Sequence, residues 1–458
     1  NSYVLPNDLL VIGISGGADS VAMLDIFSRL NRKANSFHLF AAHFDHQLRL
    51  GSKTEADFVQ NLCDKINVRL FRKSQNVRRE AKLKNRSEHD MARELRYAFL
   101  VKTAQKLKSE LSFKKPPLIA TAHHLDDQIE TVIMRMVSGS GLSGLSGIRP
   151  RLNWKNNNEL YVIRPLLSYR HNQLVNYCQY RGLDFLDDPT NTDTNYPRNY
   201  IRHQIIPVIE KKFGDTGLNG IVRSAEIIRG AEEFSIVEVD KMIAESVINR
   251  RSCELELDYR QYSSYLGWLR LLSIKRIVSC ITSKTHRITY ERCKAVERFL
   301  RHNQGGTLEI GGGVSATRKK NRIFIFRKPN AVKTRHIAVP GKYVLDDWGV
   351  LHLSVADIEK IDFPPPQNTL YVDWAISEDI RLELAPVSSG DRIPLLGMKG
   401  RRKVSDYLSD LGVPVYRRRY PAIWKDEEIV AIPPFGISEL FKISDSSLQA
   451  LMIIWEDA

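Results

Sequence analysis

Residues 9–20 place the tightest limit on what this chain can fold into. Residues 9–14 form an unbroken apolar run, which is typical of a strand buried on both faces of a parallel sheet. Ser15-Gly16-Gly17 then ends the strand, and glycine lets backbone N–H groups approach a ligand closely. A helical pattern starts at Val21, with Asp19 or Ser20 as its cap. A strand, a glycine turn and a helix N-terminus form an anion site, and the expected anion is phosphate.

This glycine turn differs from the common nucleotide-binding P-loop. The Walker pattern requires a lysine that reaches the terminal phosphates, whereas residues 1–30 contain no lysine. The turn instead resembles the pyrophosphate loop of the N-type ATP pyrophosphatases, Ser-Gly-Gly-x-Asp-Ser, which cleave ATP between its first and second phosphates. The residues that carry the resemblance are Ser15, Gly16, Gly17, Ala18, Asp19 and Ser20. The alternative is a serine- and glycine-containing turn without a ligand.

The composition indicates a polyanionic partner. The chain has 68 lysine and arginine residues against 53 acidic residues, a net charge of +15. ATP binding does not require this excess, so we favour a nucleic-acid partner over a simple gain in solubility. Five widely spaced cysteines without a Cys-x-x-Cys pair indicate reduced thiols rather than a zinc or iron–sulfur site. Without a bilayer-spanning stretch or a signal-peptide pattern, we expect a soluble cytoplasmic protein with no membrane partner.

Two carboxylates follow the apolar strand predicted at residues 118–121. Asp127 and Glu130 are neighbours on one face of the helix that starts there. They could hold Mg²⁺ or the ammonium groups of a cationic substrate, or could simply interact with the helix dipole. His123 and His124 lack a third metal ligand in the sequence, so we interpret them as hydrogen-bonding walls of the site.

Further candidates lie at other strand and helix ends. Asp45 ends a second apolar strand, where it could contact the nucleotide or serve as a cap. Arg198 and Arg202 have the spacing to face one phosphate group from a helix. Arg93 and Arg96 could do the same, although a solvated charged face is the simpler alternative.

Changes in pattern along the chain predict three domains, which the length of 458 residues can support. Residues 1–215 are expected to form a doubly wound parallel α/β domain. Residues 216–330 are expected to form a helical middle domain with a small sheet, in which residues 307–310 and residues 322–327 form a hairpin through Gly311-Gly312-Gly313. Residues 335–458 are expected to form a small α+β domain with one helix near residues 404–411. The last domain contains two basic clusters that favour RNA contact over a solvated face, since tyrosine beside arginine suits stacking on bases. The basic residues are Lys399, Arg401, Arg402, Lys403, Arg417, Arg418 and Arg419.

Several segments together resemble the tRNA(Ile)-lysidine synthetases. Besides the pyrophosphate loop, they are His43-Phe44-Asp45-His46-Gln47-Leu48-Arg49, Ala92-Arg93-Glu94-Leu95-Arg96-Tyr97, residues 122–131, Arg164-Pro165-Leu166, Arg198-Asn199-Tyr200-Ile201-Arg202, residues 390–394 and residues 403–406. Gln47 stands where the family has glycine, so the turn after that strand is expected to differ. The resemblance implies that ATP activates the wobble cytidine of an isoleucine tRNA at C2 and that free lysine then displaces AMP.

The resemblance also implies roles for the residues above. Residues 15–20 and Asp45 would bind ATP, Asp19 and Asp127 would bind Mg²⁺, and Asp127 and Glu130 would bind the lysine. Arg93, Arg198 and Arg202 would act as a group on the phosphates. A tRNA thiolase is the rival enzyme, but no reactive cysteine is visible near the site. A catalytically silent tRNA-binding protein is the rival of another class, and a homodimer stays open as an oligomeric state.

Overall fold

The computed structural model describes residues 3–34, 36–47, 52–154, 159–186, 193–282, 286, 288–302, 305–374 and 382–457. The chain forms two compact units, residues 1–234 and residues 235–458. Two residues of the quoted motifs, Leu48 and Arg49, lie outside the described part. Over the described residues, no helix is both long enough and apolar enough to cross a membrane.

The first unit is built on one sheet of six strands, counted over the described residues. The strands are β1 Leu9–Gly13, β2 His38–Asp45, β3 Leu70–Ser74, β4 Leu118–Ala120, β5 Arg151–Asn153 and β6 Tyr161–Ile163. The helices are α1 Ala18–Ala34, α2 Ser52–Lys65, α3 Val77–Leu83, α4 Glu88–Glu110, α5 Leu125–Val137, α6 Leu142–Leu145, α7 His171–Arg181, α8 Pro197–Tyr200 and α9 Ile206–Ser246, of which residues 235–246 belong to the second unit. A π-helical turn, Ile201–Ile205, joins α8 to α9, and Gly214 kinks α9.

The strand order places the ligand crevice. The order is β3-β2-β1-β4-β6-β5, and all neighbours are parallel except β5 and β6. From β1 the chain moves outward to β2 and β3, and later returns to add β4 on the other side of β1. The order therefore reverses between β1 and β4, and ligands of open α/β sheets bind outside the strand ends at such a reversal. The loops that follow β1 and β4 meet there.

The apolar run of β1 is buried on both faces, as its pattern predicts. Leu10 and Ile12 pack in one core with residues of α1 and α7, and Leu9 and Val11 pack in a second core with residues of α4. All four side chains are at most 1% exposed, and burying each contributes about 1.5–3 kcal/mol. Helices thus cover both faces of the sheet, which confirms the doubly wound fold.

The second unit begins with an antiparallel sheet and helices that share one core. Its strands are β7 Val247–Arg251, β8 Glu254–Asp258, β9 Leu308–Gly311, β10 Val314–Lys319 and β11 Arg322–Arg327, in the order β7-β8-β11-β10-β9. Its helices are α10 Tyr259–Ser264, α11 Gly267–Thr282 and α12 Tyr290–His302. The sequence predicted a hairpin of residues 307–310 with residues 322–327. The structure inserts β10 between them, and β8 extends the sheet.

The rest of this unit is β-rich and has a separate core. Its strands are β12 Arg335–His336, β13 Gly341–Leu345, β14 Gly349–Asp357, β15 Thr369–Asp373, β16 Glu383–Pro386, β17 Arg392–Ile393, β18 Arg402–Lys403, β19 Pro421–Lys425, β20 Glu428–Ile432, β21 Gly436–Ile437 and β22 Gln449–Asp457. Its helix is α13 Val404–Asp410, as predicted, and 3₁₀ turns span Ile358–Lys360, Val415–Arg417 and Glu439–Phe441. The two cores are distinct, but the unit is one compact body, so the division into three domains stays a prediction.

Candidate active site

Hydrogen bonds to the Ser20 side chain fix the shape of the loop after β1. The Ser20 Oγ accepts hydrogen bonds from the backbone N–H groups of Ser15 and Gly16, both at 3.2 Å, and donates to the carbonyl of Gly17 at 2.9 Å. These bonds close the turn from within before α1 starts at Ala18. Since the first turn of a helix leaves N–H groups without intrahelical partners, the closed turn presents donors to an anion.

Gly16 is required by the shape of this loop. Its φ of +94° lies in the left-handed region that favours glycine. A Cβ atom at this position would lie 3.0 Å from the Cδ1 of Leu186. The predicted loop is therefore formed as a phosphate-binding turn would be, although its ATP contacts stay a prediction.

Two histidines surround the Asp19 carboxylate, which is 24% exposed. The Nδ1 of His171 lies 2.8 Å from Asp19 Oδ1, and the Nε2 of His124 lies 3.6 Å from Oδ2. The hydrogen bond to Asp19 raises the pKa of His171. Burial opposes the protonation of His124, but the carboxylates of Asp126, Asp127 and Asp19 outweigh it and raise its pKa.

His171 is the residue of this site that the sequence analysis missed. Its position depends on Asp126, whose oxygens accept from the His171 backbone N–H at 2.7 Å and contact Arg170 Nε at 2.6 Å. His171 also supplies a third potential metal ligand, which the sequence did not show. The potential metal-ligating atoms of Asp19, His124 and His171 all lie within 4.8 Å of one another. The available signal was a histidine at the start of the helix after β6, a strand that ends at the crevice.

The predicted carboxylates and arginines form one cluster beside this loop. Arg198 donates from Nε to Glu130 at 2.6 Å and from its terminal nitrogen to Asp127 at 2.7 Å. Arg202 donates from Nε to the second oxygen of Glu130 at 2.6 Å and lies 3.7 Å from Asp127. Two carboxylates thus balance two guanidinium groups, which are each about one third exposed.

The two carboxylates are not equivalent. Glu130 is fully buried and each of its oxygens is bound by an arginine, so it holds Arg198 and Arg202 in place. In this arrangement both Glu130 oxygens are occupied by arginines, and the predicted contact of Glu130 with lysine stays a prediction. Asp127 retains a 14% exposed side chain, and its Oδ2 accepts from the backbone N–H of His124 at 3.0 Å. Burial opposes the ionisation of Asp127, but His124 and Arg198 outweigh it and lower its pKa.

More cations converge on the same strand ends. Arg93 is exposed, and both Arg93 and Arg96 lie over the ring of Tyr97, at 5.1 and 5.8 Å. Burial lowers the pKa of His123 to about 3, and Arg164, Arg96 and Arg93 act in the same direction. Arg164 is only 5% exposed. Arg93, Arg96 and Arg164 thus all act electrostatically on His123, and Arg164 was not among the candidate site residues.

Asp45 corresponds to the simpler of its two interpretations. Its Oδ1 accepts from the Gln47 backbone N–H at 2.8 Å and its Oδ2 from the Ser74 hydroxyl at 2.9 Å. The carboxylate is 8% exposed, so it closes the strand end as a cap, and the structure gives no support to an ATP contact. Gln47 has a φ of +50°, so the chain keeps a left-handed turn although glycine is absent.

The C-terminal basic residues divide into exposed and buried groups. Lys399, Arg401, Lys403 and Arg419 are exposed; Arg401 is paired with Glu428, and the half-buried Arg402 with Asp410. Arg418 donates to the Val413 carbonyl and the Ser409 hydroxyl.

Arg417 does not belong to that surface. It is 2% exposed, lies 3.8 Å from the sulfur of Cys253 and sits over the ring of Trp348 at 5.2 Å. The next-door Tyr416 stacks on Phe326, with ring centroids 3.5 Å apart. The prediction that Arg417 contacts RNA is wrong, because its guanidinium is buried in packing within the second unit.

The cysteines offer no reactive thiol at the crevice. Cys178 lies nearest, with its sulfur 3.5 Å from the carbonyl of Ala18, but it is fully buried and burial raises its pKa to about 11. Cys280 is the exposed cysteine among the five, and it belongs to the second unit. Both facts weigh against the thiolase alternative, which needs a thiolate or a cluster ligand at the site.

Comparisons with known proteins find family matches near both ends of the chain. Residues 4–209 match the PP-loop domain family, and residues 382–455 match the TilS substrate C-terminal domain family. A tRNA(Ile)-lysidine synthase of Caldanaerobacter subterraneus subsp. tengcongensis is 27% identical over 98% of this chain and 93% of its own length. That of Geobacter sulfurreducens is 29% identical over 93% of this chain and 88% of its own length. A solved structure of the U34-tRNA thiolase NcsA from Methanococcus maripaludis is 18% identical, with a TM-score of 0.40, and covers 50% of this chain and 74% of its own.

Proposed function

We infer that this chain, a member of the tRNA(Ile)-lysidine synthase family by its two matched domains and its relatives of similar length, converts the wobble cytidine of isoleucine tRNA to lysidine. The reaction consumes ATP and free lysine and releases AMP and pyrophosphate. The observation that carries the proposal is the meeting of a lysine-free phosphate loop with a carboxylate–arginine cluster where the loops after β1 and β4 converge.

In the first step, the C2 oxygen of the cytidine attacks the α-phosphorus of ATP. A bond forms between that oxygen and phosphorus, and the bond to the β-phosphate oxygen breaks. The N–H groups of Ser15 and Gly16 are used by the Ser20 hydroxyl, so the N–H groups in the first turn of α1 would receive the departing pyrophosphate, and the α1 dipole would add to this. Arg93 is exposed and acts electrostatically on His123, which follows β4, so it is suited to the charge that develops on the α-phosphate.

The residues present suit a divalent cation. The Asp19 carboxylate is partly exposed at the loop, and carboxylate oxygens are the ligands that Mg²⁺ prefers. Asp19 would hold the ion together with the phosphates, whereas Asp127, whose oxygens accept from Arg198 and His124, is assigned to the lysine substrate. Bound there, Mg²⁺ would neutralise charge on the pyrophosphate.

In the second step, the ε-amine of lysine attacks C2, and AMP leaves with the oxygen. Free lysine carries a carboxylate as well as ammonium groups. Asp127 and Arg198 lie 2.7 Å apart, so they offer one partner to each sign of charge. We assign Asp127 to an ammonium group, Arg198 to the carboxylate, and Glu130 to positioning Arg198 and Arg202.

The exposed basic residues of the C-terminal region form the proposed tRNA surface. The exposed residues are Lys399, Arg401, Lys403 and Arg419, and the half-buried Arg402 and Arg418 complete the surface. Two of the arginines are paired with surface carboxylates, and such pairs are weak enough to be exchanged for phosphate contacts. A homodimer stays a prediction, which light scattering at several protein concentrations tests.

The test is incorporation of radiolabelled lysine into an isoleucine tRNA transcript with a CAU anticodon, in the presence of ATP and Mg²⁺. A transcript with uridine at the wobble position is the control. We expect label on the first RNA alone. Pyrophosphate release that depends on tRNA, without label, would contradict lysine as the nucleophile. The absence of both signals would refute the enzyme function.

A matched pair of variants tests the role of the loop. Asp19→Asn should slow tRNA-dependent pyrophosphate release by on the order of 100-fold, because the loss of a metal ligand removes several kcal/mol of charge stabilisation. Asp64→Asn changes an exposed aspartate of α2 that bonds only Gln60 among the described residues, so its rate should match the wild type. Equal rates for all three proteins would contradict the assignment of Asp19.

A further inference from the structure

A basic cleft lies on the catalytic unit at the opposite end of α1 from the phosphate loop. Its volume is about 610 Å³, and it opens widely to solvent between α1 and α7. Four cationic side chains line it, together with Tyr177, Ile26 and Leu30. The cations are Arg29, Arg32, Lys33 and Arg181. None of these residues takes part in the proposed chemistry.

The floor of the cleft is fixed by one buried carboxylate. Asp25 is 5% exposed, accepts from the Tyr177 hydroxyl at 2.7 Å and lies 3.6 Å from Arg181 Nε. Tyr177 and Arg181 are thereby held at defined positions on α7. Because the Tyr177 hydroxyl is bonded to Asp25, the exposed rim of the cleft is formed by the arginines and the lysine of α1.

The charge of the cleft is not balanced by its surroundings. Arg29, Arg32 and Lys33 are exposed, and within the described part of the chain no carboxylate forms an ion pair with them. Both helices end near the cleft, and each C-terminus contributes roughly half a negative charge. With Asp25, the negative contributions sum to about −2 against four cations, so the cleft keeps a net charge of roughly +2.

We propose that this cleft binds the phosphate backbone of the RNA substrate at a point remote from the reacting nucleotide. The inference rests on the proposed function, which supplies an RNA as the ligand. Three features favour a polymer over a small anion: the cleft is open, its cations are spread over two helices, and guanidinium groups suit phosphate oxygens. Tyr180, one turn beyond Tyr177 on α7, is 89% exposed and offers a ring to ribose or base.

The distance suits an RNA that has one nucleotide in the active site. Asp19 lies in the first turn of α1 and Arg32 in its last, and the rise of about 1.5 Å per residue separates them by roughly 20 Å. An extended polynucleotide or a short stem covers such a distance. Contact at the cleft would therefore add affinity for the whole tRNA without touching the wobble base.

The experiment measures the binding of the isoleucine tRNA transcript by filter retention at several salt concentrations. The test variant is Arg29→Ala/Arg32→Ala/Lys33→Ala in the full chain. The matched control is Lys102→Ala/Lys106→Ala/Lys114→Ala, which removes the same charge from exposed lysines of α4 and the loop after it, on the other face of the sheet. A charge-retaining variant, Arg29→Lys/Arg32→Lys, completes the set.

The slope of log K against log salt is negative, and we expect its magnitude to decrease by about 2 to 3 in the test variant, since each phosphate contact contributes about 0.9. At 0.15 M salt, affinity should fall on the order of tenfold or more. The control and the charge-retaining variant should keep the wild-type slope. The single variant Arg29→Ala, with a slope change of about 0.9, covers the case in which the triple variant misfolds.

Other outcomes would overturn the proposal. An unchanged slope in a folded test variant removes the cleft contact and leaves the proposed function intact. An equal fall in the control shows that only net charge matters, which also removes the cleft as a site. If the wild-type protein does not bind the tRNA, both the cleft proposal and the proposed function fail.

Discussion

Replacing Glu130 by glutamine should disturb the positions of both Arg198 and Arg202 and destabilise the first unit. The carboxylate is fully buried, and its oxygens accept from Arg198 and Arg202 at 2.6 Å each. Glutamine keeps one acceptor but turns an NH₂ group toward the other guanidinium, which is also a donor. Breaking a buried pair from one side costs about 3–5 kcal/mol. Because the arginines are about one third exposed and can recruit water, we expect about 2–3 kcal/mol of lost stability.

Thermal unfolding measures this loss. For a unit of 234 residues, each kcal/mol shifts the midpoint by about 2–4 °C, so Glu130→Gln should melt roughly 4–12 °C below the wild type. Glu110→Gln is the matched control, since among the described residues this exposed carboxylate pairs only with Lys106, and its loss should shift the midpoint by less than about 2 °C. The double variant Glu130→Gln/Arg202→Gln should recover part of the loss. Equal midpoints for Glu130→Gln and the control would refute the buried charge cluster.

The same variant separates two roles of Glu130 in the reaction. If it positions the arginines, pyrophosphate release should fall even at saturating lysine, because Arg202 is no longer held where it can act on the phosphates. If it contacts lysine directly, only the lysine requirement should rise. Asp127→Asn is expected to raise the lysine requirement while part of the pyrophosphate release is retained.

Three further predictions concern other parts of the chain. Arg417→Ala should lower the free energy of unfolding by about 2–4 kcal/mol, because it removes packing and leaves a buried site unfilled. Arg419→Ala should leave urea unfolding unchanged and reduce the magnitude of the salt slope of tRNA binding by about 0.9. Burial and the Arg96 guanidinium lower the pKa of His46 to about 4 from 6.5, so stability should be complete above pH 6.5 and fall as the pH drops toward 4. After discounting for solvent exposure the loss is about 1–2 kcal/mol, and urea unfolding of His46→Asn should show a smaller pH dependence. Under native conditions a thiol reagent should modify one cysteine per chain rapidly, at Cys280, since the other four are buried and burial raises their pKa values; rapid reaction of a second thiol would contradict this.

The sequence predicted the catalytic unit well because its signals are local. A continuous apolar strand and a glycine at a left-handed turn each depend on neighbouring residues, and β1 and the turn form as expected. The helix α1 begins at Ala18, three residues before the predicted start, so Asp19 and Ser20 lie inside it and are not its cap. The strand order then brings the loops after β1 and β4 together, as parallel α/β topology requires. The extra strand β10 was missed because a glycine run was interpreted as one hairpin turn, whereas Val314 continues the chain into a new strand.

The side-chain roles were harder to predict, because charge in a sequence does not report burial. Arg417 and Arg419 look alike in the sequence, yet one is 2% exposed under Trp348 and the other is on the surface. Glu130 and Asp127 share a helical face, but only Asp127 keeps an exposed part. His171 could not be joined to Asp19 from spacing alone, since the contact depends on how Asp126 fixes the start of α7.

The arrangement of charges gives a reason why both arginines are held by a fully buried glutamate. An arginine pair without a buried partner would repel itself and would collapse onto Asp127, the carboxylate assigned here to the lysine substrate. With Glu130 accepting from both Nε atoms, Arg198 and Arg202 keep their terminal nitrogens directed toward Asp127, at 2.7 and 3.7 Å. An incoming carboxylate or phosphate can compete for those nitrogens, and Asp127 would then become free for an ammonium group. Ligands of opposite charge should therefore assist each other's binding. Lysine should bind more weakly to Glu130→Gln than to the wild-type protein, and this loss of affinity should exceed what the lower stability of the variant explains. Isothermal titration of lysine into both folded proteins tests this, and equal affinities would show that the glutamate does not prepare the site.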